Sequence, residues 1–479
     1  MRTVMIMFDT LTRNYLSNYG CDWVKTPNFQ RLEDYCCKFD NFYAGSMPCM
    51  PARRDLHTGK YNFLHRSWGP LEPFDFSAIN TLTNNNIYTH LCTDHSHYFD
   101  DGGCTYHNRY STWQGFRGQE GDRYMPRLGM INPNQDKHQK IGVSPNQNYA
   151  NMVNIKDEND YSSVKTIDAG ISFIDHYHDT SNWFLQVECF DPHEPFNVPQ
   201  KYRDLYDLVD DVETNWPPYM PVDDDIDLMK LRKEYASLVS MCDYHLGRIL
   251  DKLDEYNMWE DTMVIVNTDH GFLLGEHNYI GKNFWPMYQE VSHIPFFLHV
   301  PGIKPRIIRQ LTSTVDIVPT LLDYFDIEIP DDLDGKSLIP VLTGNTKIHD
   351  YVIFGVHGGF VNITDGSYVF MKASCTKEND PVAECTMMPT NMRNFFSESI
   401  LKTAQLEKGD RYSNQLPYLK FINKTNYLDS YSFGDLLFDI TNGEKQIIDD
   451  QVAQKYKNLL MNIMMKLEAP KEEFERLGL

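Results

Sequence analysis

The sequence predicts an α/β protein with a large, mostly parallel sheet, followed by a smaller C-terminal part with an antiparallel sheet. A continuous apolar run at residues 4–8, a largely apolar stretch at residues 183–190 and an apolar run at residues 263–266 indicate strands that helices cover on both faces. Apolar residues at helical spacing from 231 to 253 predict a long amphipathic helix. Beyond residue 345 the pattern changes to short strands and turns, which is typical of antiparallel pairing.

The remaining elements fit this plan. Further strands are predicted at residues 87–92 and 294–300, and a closing helix near the C-terminus. A polar and aromatic insertion covers about residues 100–163. We therefore expect a larger domain at residues 1–345 and an α+β subdomain at residues 346–479.

Composition restricts the partners and the compartment. The 479 residues include 44 Lys and Arg and 67 Asp and Glu, which gives a formal net charge of −23. Such a surface repels nucleic acids and anionic membranes, so neither is expected as a partner. The chain has no run of about 18 apolar residues, and its N-terminus has the pattern of a strand and not of a signal peptide. Ten cysteines without metal-finger spacing favour free thiols. We therefore expect a cytoplasmic protein.

A loop running into a short helix is predicted around Cys49. Pro51 suits the first turn of a helix, and Gly59 suits its end. Cys49 then lies at a helix N-terminus, where free N–H groups favour an anion, and Arg53 and Lys60 add positive charge. The pattern indicates a sulfur nucleophile, or the precursor of one, beside an anion site. The alternative interpretation is a buried structural cysteine next to a capped helix.

Charged residues follow three of the predicted strands. They are Asp9, then Asp191 and His193, then Asp269 and His270. Ligands of open α/β sheets bind beyond the carboxyl ends of the strands, so these residues and the Cys49 helix are expected to share one crevice.

Asp9, Asp269 and His270 suit a divalent metal. Carboxylate oxygens favour Ca²⁺, Mg²⁺ or Mn²⁺, and an imidazole moves the preference toward Mn²⁺ or another transition metal. The alternative interpretations are a cap after a strand for Asp9 and a polar turn for Asp269 and His270.

The segment Cys49-x-Pro51-x-Arg53, followed by Thr58-Gly59-Lys60, resembles the signature of the type I sulfatases and their phosphonate monoester hydrolase relatives. Asp9 and the pair Asp269-His270 match that family's metal ligands. The resemblance implies an alkaline-phosphatase-like fold, with residues 1–345 as the sulfatase catalytic domain. It also implies that a formylglycine-generating, sulfatase-maturating enzyme oxidises Cys49 to formylglycine, whose hydrated aldehyde is the nucleophile.

The resemblance further implies one divalent metal, Ca²⁺ or Mn²⁺, bound by Asp9, residue 49, Asp269 and His270. Arg53, Lys60 and Lys282 would then stabilise the charge on the transferring group.

The resemblance also assigns substrate contacts. His193 matches a histidine that lies against the substrate oxygens, and His95 and His97 correspond to residues that bind the ester and protonate the leaving group. Two further candidates for substrate contact are Tyr106, in the aromatic insertion, and Arg393, in the second domain. The segment around Tyr106 is interpreted either as a packed loop or as a cover over the substrate.

Two positions depart from the pattern of many sulfatases. Thr10 stands where many carry a second aspartate, and His270 stands where many carry asparagine. At the second position the chain is more similar to choline-sulfatase-like and phosphonate-hydrolase-like members.

The sequence as a whole favours an arylsulfatase-like enzyme that hydrolyses a small-molecule or sugar sulfate monoester. The alternative with the same apparatus is a phosphonate monoester or phosphodiester hydrolase. A two-metal phosphatase and a binding protein with a degenerate site are the remaining alternatives, and homo-oligomerisation stays open.

Overall fold

A sheet of eight strands forms the centre of the molecule. The structure is a computed structural model that describes residues 1–209, 215–344, 346–423 and 429–479. Within these residues, the strands in order across the sheet are Ile307–Ile308, Cys37–Phe39, Phe296–His299, Thr262–Thr268, Arg2–Phe8, Trp183–Cys189, Tyr88–Thr93 and Thr112–Gly115. Phe296–His299 runs against its neighbours, and the other strands run in one direction. The sheet is therefore mixed but mostly parallel, as predicted.

The register of the three central strands aligns their carboxyl ends. The strand Arg2–Phe8 pairs in parallel with Trp183–Cys189 on one side and with Thr262–Thr268 on the other, and the last residues of all three strands are aligned. Asp9 and Asp269 follow directly after two of these strands. They therefore leave the sheet at the same carboxyl edge.

Helices cover both faces of this sheet. The α-helices of the whole described chain, including those of the C-terminal part, are Pro27–Arg31, Cys49–Thr58, Ala78–Asn84, Cys104–His107, Val143–Met152, Ser162–Tyr177, Gln200–Arg203, Leu228–Glu255, Gln289–Ser292, Ile317–Tyr324, Ile339–Thr343, Glu398–Leu401, Ser430–Phe433, Asp450–Lys466 and Lys471–Leu477. Short 3₁₀ helices are Arg13–Tyr15, Ser17–Tyr19, Leu32–Asp34, Ser96–Phe99, Glu158–Asp160, Asp204–Tyr206, Met258–Glu260, Glu276–Asn278 and Thr314–Asp316. Along the first strand Val4, Ile6 and Phe8 join one core while Met5 and Met7 join the other, which explains its continuous apolar run.

A second sheet contains a short strand from the N-terminal half. Its strands, in order, are Lys445–Gln446, Leu436–Asp439, Tyr368–Lys372, Val361–Thr364, Val352–Val356 and Ser46–Met47. Ser46–Met47 pairs in parallel with Val352–Val356, and the other pairs are antiparallel. The closing helix Asp450–Lys466 packs its buried side chains into the core of this sheet. The predicted domain boundary falls at residue 345, which lies outside the described residues, so the division remains a prediction.

The predicted insertion contains regular structure. Its strand Thr112–Gly115 pairs in parallel with Tyr88–Thr93 at the edge of the large sheet. Three small sheets complete the strands of the described chain: Leu273–Leu274, Tyr279–Gly281 and Met220–Pro221; Thr312–Ser313 and Phe42–Tyr43; and Ala383–Thr386, Tyr418–Ile422 and Gln405–Glu407. Among the helices of the described ranges, none combines the length and the apolar character needed to cross a membrane.

Candidate active site

Four buried side chains meet beyond the ends of the central strands. One carboxylate oxygen each from Asp9 and Asp269, the Cys49 sulfur and a ring nitrogen of His270 all lie within 4.8 Å of one another. The Cys49 Sγ is 3.3 Å from Nε2 of His270 and 3.8 Å from Oδ1 of Asp9. The structure thus brings together the four residues that the sequence suggested as metal ligands.

The helix Cys49–Thr58 carries Cys49 into this cluster at its first residue. Its other end closes at Gly59, which has φ 64° and donates its N–H to the Asp55 carbonyl at 2.8 Å. The Asp55 carboxylate accepts the backbone N–H of Ser46 at 2.6 Å, and burial raises the pKa of Asp55 to about 8. These contacts fix the loop before the helix, and with it the position of Cys49.

Arg53 lies behind the cluster and joins its carboxylates. Its guanidinium donates to Asp9 at 2.9 Å, to Asp269 at 2.8 Å and to Glu188 at 2.7 Å. It also donates to the Cys49 carbonyl at 2.9 Å. Burial alone would raise the pKa of Asp9, but Arg53, His95, His193 and Lys282 together outweigh burial and hold that pKa well below its ordinary value. In this geometry Arg53 is a positioning residue for the acidic side chains.

Glu188 is a site residue that the sequence reasoning missed. It lies inside the strand Trp183–Cys189, is fully buried, and accepts from Arg53 and from the Tyr98 hydroxyl at 2.9 Å. The available signal was a carboxylate within a stretch predicted to be a buried strand, because a buried charge requires a partner of opposite charge.

Lys282 and Thr10 form the other side of the site. The Lys282 ammonium is 3.8 Å from the Cys49 sulfur and donates to the Thr10 hydroxyl at 2.9 Å. Thr10 in turn donates its hydroxyl to Asp9 at 2.7 Å and its N–H to Asp269 at 2.9 Å. Thr10 therefore holds the Lys282 ammonium beside Cys49.

The protonation of Cys49 and His270 follows from their surroundings. Burial raises the pKa of the Cys49 thiol well above its ordinary value, and the charge of Asp9 adds to this effect. A thiol that keeps its proton is a weak nucleophile. Burial lowers the pKa of His270, and its Nδ1 lies 3.0 Å from the Gly271 carbonyl. An N–H at Nδ1 donates to that carbonyl and leaves the Nε2 lone pair facing the cluster.

Three further predicted histidines lie at this edge. Nε2 of His95 is 3.5 Å from Oδ2 of Asp9. Nδ1 of His97 is 2.9 Å from the Asp100 carboxylate, and Nδ1 of His193 contacts the Glu194 carbonyl. The His97 and His193 rings are thus each fixed through Nδ1, and the His95 ring lies beside the Asp9 carboxylate.

Two predicted site residues lie elsewhere. Lys60 follows the far end of the ten-residue helix, about 15 Å from its start. Its ammonium pairs with Asp332. Tyr106 is fully buried and donates its hydroxyl to the Gly69 carbonyl at 2.9 Å, so it is a packed core residue. The structure therefore does not bring Lys60 or Tyr106 into the cluster around Cys49.

A cavity of 220 Å³ adjoins the cluster. Its lining includes Pro48 and Pro51, on either side of Cys49, and Arg393 from the C-terminal part. The Arg393 guanidinium lies over the Trp68 ring, 4.8 Å from its centre. Lys140, from the insertion, also lines the cavity and was missed, because nothing near it in the sequence indicates a site.

Comparisons with known proteins agree with this architecture. The sequence model of the sulfatase family matches residues 2–327. An arylsulfatase of Clostridium perfringens is 24% identical over 387 residues, which cover 73% of this chain and 80% of the relative. A choline-sulfatase of Rhizobium meliloti is 23% identical over 457 residues, which cover 83% of this chain and 84% of the relative.

Among solved structures, the phosphonate monoester hydrolase of Agrobacterium radiobacter has a TM-score of 0.65 at 20% identity, covering 97% of this chain and 96% of that chain. This likeness confirms the predicted alkaline-phosphatase-like α/β fold. From the match of the family model over most of its length, the chain belongs to the sulfatase family of hydrolases.

Proposed function

We propose that this chain hydrolyses a sulfate monoester, with formylglycine formed from Cys49 and one divalent metal held by Asp9, residue 49, Asp269 and His270. The observation that carries the proposal is the grouping of these four ligand atoms within 4.8 Å at the carboxyl edge of a sulfatase-family fold. A maturating enzyme that oxidises Cys49 is the partner that the proposal requires.

The residues present fit a divalent metal. Two buried carboxylates and a neutral imidazole are ligands that suit Mn²⁺, and the carboxylates also suit Ca²⁺. The Gly271 carbonyl beside Nδ1 of His270 is the outer partner that metal-binding histidines usually have. Arg53 joins Asp9 and Asp269 from behind, so both carboxylates are held in place before the ion binds.

A metal held by these residues would lower the pKa of a hydroxyl of the hydrated formylglycine, which would be the nucleophile, and would polarise the ester. Lys282, beside residue 49, binds the ester oxygens and offsets the negative charge that grows on them in the transition state. Thr10 holds the Lys282 ammonium in that position.

His97 and His193 are the candidates for protonating the departing alcohol. The Asp100 carboxylate beside His97 favours its protonated form, although burial has the larger and opposite effect and lowers the pKa of His97 overall. The backbone carbonyl of Glu194 fixes the His193 ring through Nδ1. His95, next to Asp9, stays a candidate for binding the ester oxygens.

The second candidate function is hydrolysis of a phosphonate monoester or phosphodiester. His270, which stands where many sulfatases carry asparagine and lies 3.3 Å from the Cys49 sulfur, supports it, because phosphonate-hydrolase-like members are similar to this chain at that position. Rates on an aryl sulfate and on the matching aryl phosphonate, measured side by side, decide which ester the site prefers.

The direct test removes the precursor of the nucleophile. Chain produced together with a maturating enzyme should release sulfate from nitrophenyl sulfate, and Cys49→Ala should lose about a thousandfold or more of this turnover. Cys104→Ala changes an exposed cysteine and serves as the matched control, with turnover unchanged. Full turnover by Cys49→Ala would exclude the proposed function.

A further inference from the structure

Asp94 and Asp191 form a pair of buried carboxylates that the proposed chemistry does not use. Asp94 is fully buried, and Asp191 is 3% exposed. Nε2 of Gln119 donates to Oδ2 of Asp94 at 2.9 Å and to Oδ1 of Asp191 at 3.3 Å. The two carboxylates therefore approach each other to within about 6 Å, a distance at which one negative charge disfavours another.

The hydrogen-bond partners of this pair are neutral. The Phe190 N–H donates to Asp94 at 2.8 Å, and the Ser162 hydroxyl lies 3.0 Å from the same carboxylate. The Ser163 hydroxyl contacts Asp191. Two like charges buried without a cation are costly, so one proton on the pair is the stable arrangement near neutral pH. A hydroxyl donates to a carboxylate or accepts from a carboxylic acid, so the two serines satisfy either form.

The neighbouring elements bring no positive charge to the pair. Within the described ranges, no lysine, arginine or histidine lies at ion-pair distance from either carboxylate. Cys189, from a central strand, and Cys242, from the long helix, lie nearby as neutral thiols, because burial raises the pKa of each well above its ordinary value and the charges of the pair add to this effect. Glu188 opposes ionisation of the pair with its own charge, although Arg53 pairs with it.

Both carboxylic acids keep their protons to a higher pH than an ordinary aspartate does. Burial raises the pKa of Asp94 to about 6. Burial also raises the pKa of Asp191, to about 7, and the charge of Asp94 adds to this effect. The pair therefore keeps one proton up to about pH 7 and carries two negative charges above it.

The pair joins the two loops that carry candidate site histidines. Asp94 directly precedes His95, and Asp191 lies two residues before His193. His95 in turn contacts the carboxylate cluster of the active site. Gln119, from the insertion, therefore ties the two histidine loops together through their aspartates.

We propose that Asp94 and Asp191 share one proton and that Gln119, which bridges them in this state, is a positioning residue for the loops of His95 and His193. Loss of the proton to solvent leaves two negative charges around a single amide, and this repulsion loosens the loops. The effect on turnover rests on the proposed sulfatase function, whereas the effect on stability does not.

The first test measures stability. The pair binds its proton more tightly in the folded protein than in the unfolded chain, where the pKa of an aspartate is about 3.9. Its contribution to stability is therefore full below about pH 4 and is lost as the pH rises through about 7. Asp191→Asn keeps the shape of the side chain and removes the titrating proton. The Tm of this variant relative to wild type should rise by about 3 °C between about pH 5 and pH 8.

Asp168→Asn is the matched control for this test. Asp168 belongs to the same helix as Ser163, is partly exposed and pairs with Arg248. Its difference in Tm from wild type should not change over this pH range. Asp94→Asn removes the other carboxylate of the pair and should give the same result as Asp191→Asn.

The second test measures turnover of nitrophenyl sulfate by the formylglycine-containing enzyme. Wild-type kcat should fall above about pH 7, and the ratio of kcat at about pH 8.5 to that at pH 6.5 should be about threefold higher in Asp191→Asn than in wild type. Gln119→Leu removes a donor that favours the ionised pair, so the fall should move to higher pH by about half a unit or more. Gln135→Leu, which changes an exposed amide of the same insertion, should leave the profile unchanged.

The outcomes separate this inference from the proposed function. Parallel pH dependences of Tm in wild type and in both asparagine variants would overturn the shared proton and leave the sulfatase function intact. A changed Tm profile with kcat profiles like that of wild type in Asp191→Asn and Gln119→Leu would overturn the positioning role. Release of no sulfate by any preparation would overturn the proposed function, and the Tm profiles would still decide whether the proton is shared.

Discussion

The two ends of the helix Cys49–Thr58 differ in what surrounds them. At its start, Cys49 and Arg53 are buried among carboxylates and a histidine. At its end, the Gly59 carbonyl accepts the N–H of Asp334 at 3.0 Å, and Lys60 pairs with a half-exposed aspartate. We therefore divide the sequence signature into two parts: a chemical half, which contains Cys49 and Arg53, and a folding half, which contains Gly59 and Lys60. The first half should respond to substitution through turnover, and the second through stability.

The largest effect is expected at Arg53. Arg53→Met leaves Asp9, Asp269 and Glu188 without their buried cation, and breaking a buried ion pair costs about 3–5 kcal/mol. We expect a fall of that size in the free energy of unfolding, measured with urea, and loss of sulfate release.

Arg54→Met is the matched control, because Arg54 is also buried and paired but joins Asp75 away from the cluster. It should lose stability and keep turnover per folded molecule. Wild-type turnover in Arg53→Met would show that the carboxylates do not need this arginine.

The next largest effect on turnover is expected at the two histidines beside the chemical half, His97 and His193. If His97 protonates the leaving alcohol, His97→Gln should slow an alkyl sulfate by about a hundredfold and nitrophenyl sulfate much less, since a good leaving group needs no proton. His193→Gln, measured on the same pair of esters, identifies the acid: the acid is the residue whose loss affects the two esters unequally. Equal losses in both variants would exclude both residues as the acid.

A smaller effect is expected at Gly59, in the folding half. A Cβ there would sit on a backbone of φ +64°, 3.1 Å from Cβ of Val318. Gly59→Ala should therefore lower the free energy of unfolding by about 1 kcal/mol or more. Gly20→Ala, where φ is +98° and no atom lies within 4 Å of the added Cβ, isolates the backbone contribution. A loss of turnover per folded molecule in Gly59→Ala would contradict the division of the helix.

The smallest effect is expected at Lys60. Its ion pair with Asp332 lies near the surface, where such pairs contribute about 0–1 kcal/mol. Lys60→Met should change the free energy of unfolding by no more than that and leave kcat/KM on nitrophenyl sulfate within about twofold. A tenfold fall in kcat/KM would restore the catalytic role that the sequence alone suggested for Lys60.

The grouping of Asp9 with Asp269 was predictable because each residue ends a run whose local pattern indicates a buried strand. Asp9 and Asp269 each follow directly after a buried apolar run, and parallel strands of one sheet end at one edge. Cys49 was predictable because Pro51 and Gly59 mark the two ends of one short helix.

The positions of the other residues, those wrongly expected at the site and those missed, depend on how distant parts of the chain fold together. Lys60 is close to Cys49 in sequence, but the helix separates them by about 15 Å. Tyr106 belongs to an aromatic segment whose packing no periodicity reveals, and its ring is in the core. Lys140 and Arg393 meet the cavity from the insertion and the C-terminal part, and only the folded chain brings them together.

The most direct test of the central claim is the mass of the tryptic peptide 39–53, measured in preparations that differ in maturation. We expect the formylglycine form to be present after coexpression with a maturating enzyme, and sulfate release per molecule to rise in proportion to its fraction and to extrapolate to zero without it. Full turnover in a preparation whose peptide carries only unmodified Cys49 would contradict the account.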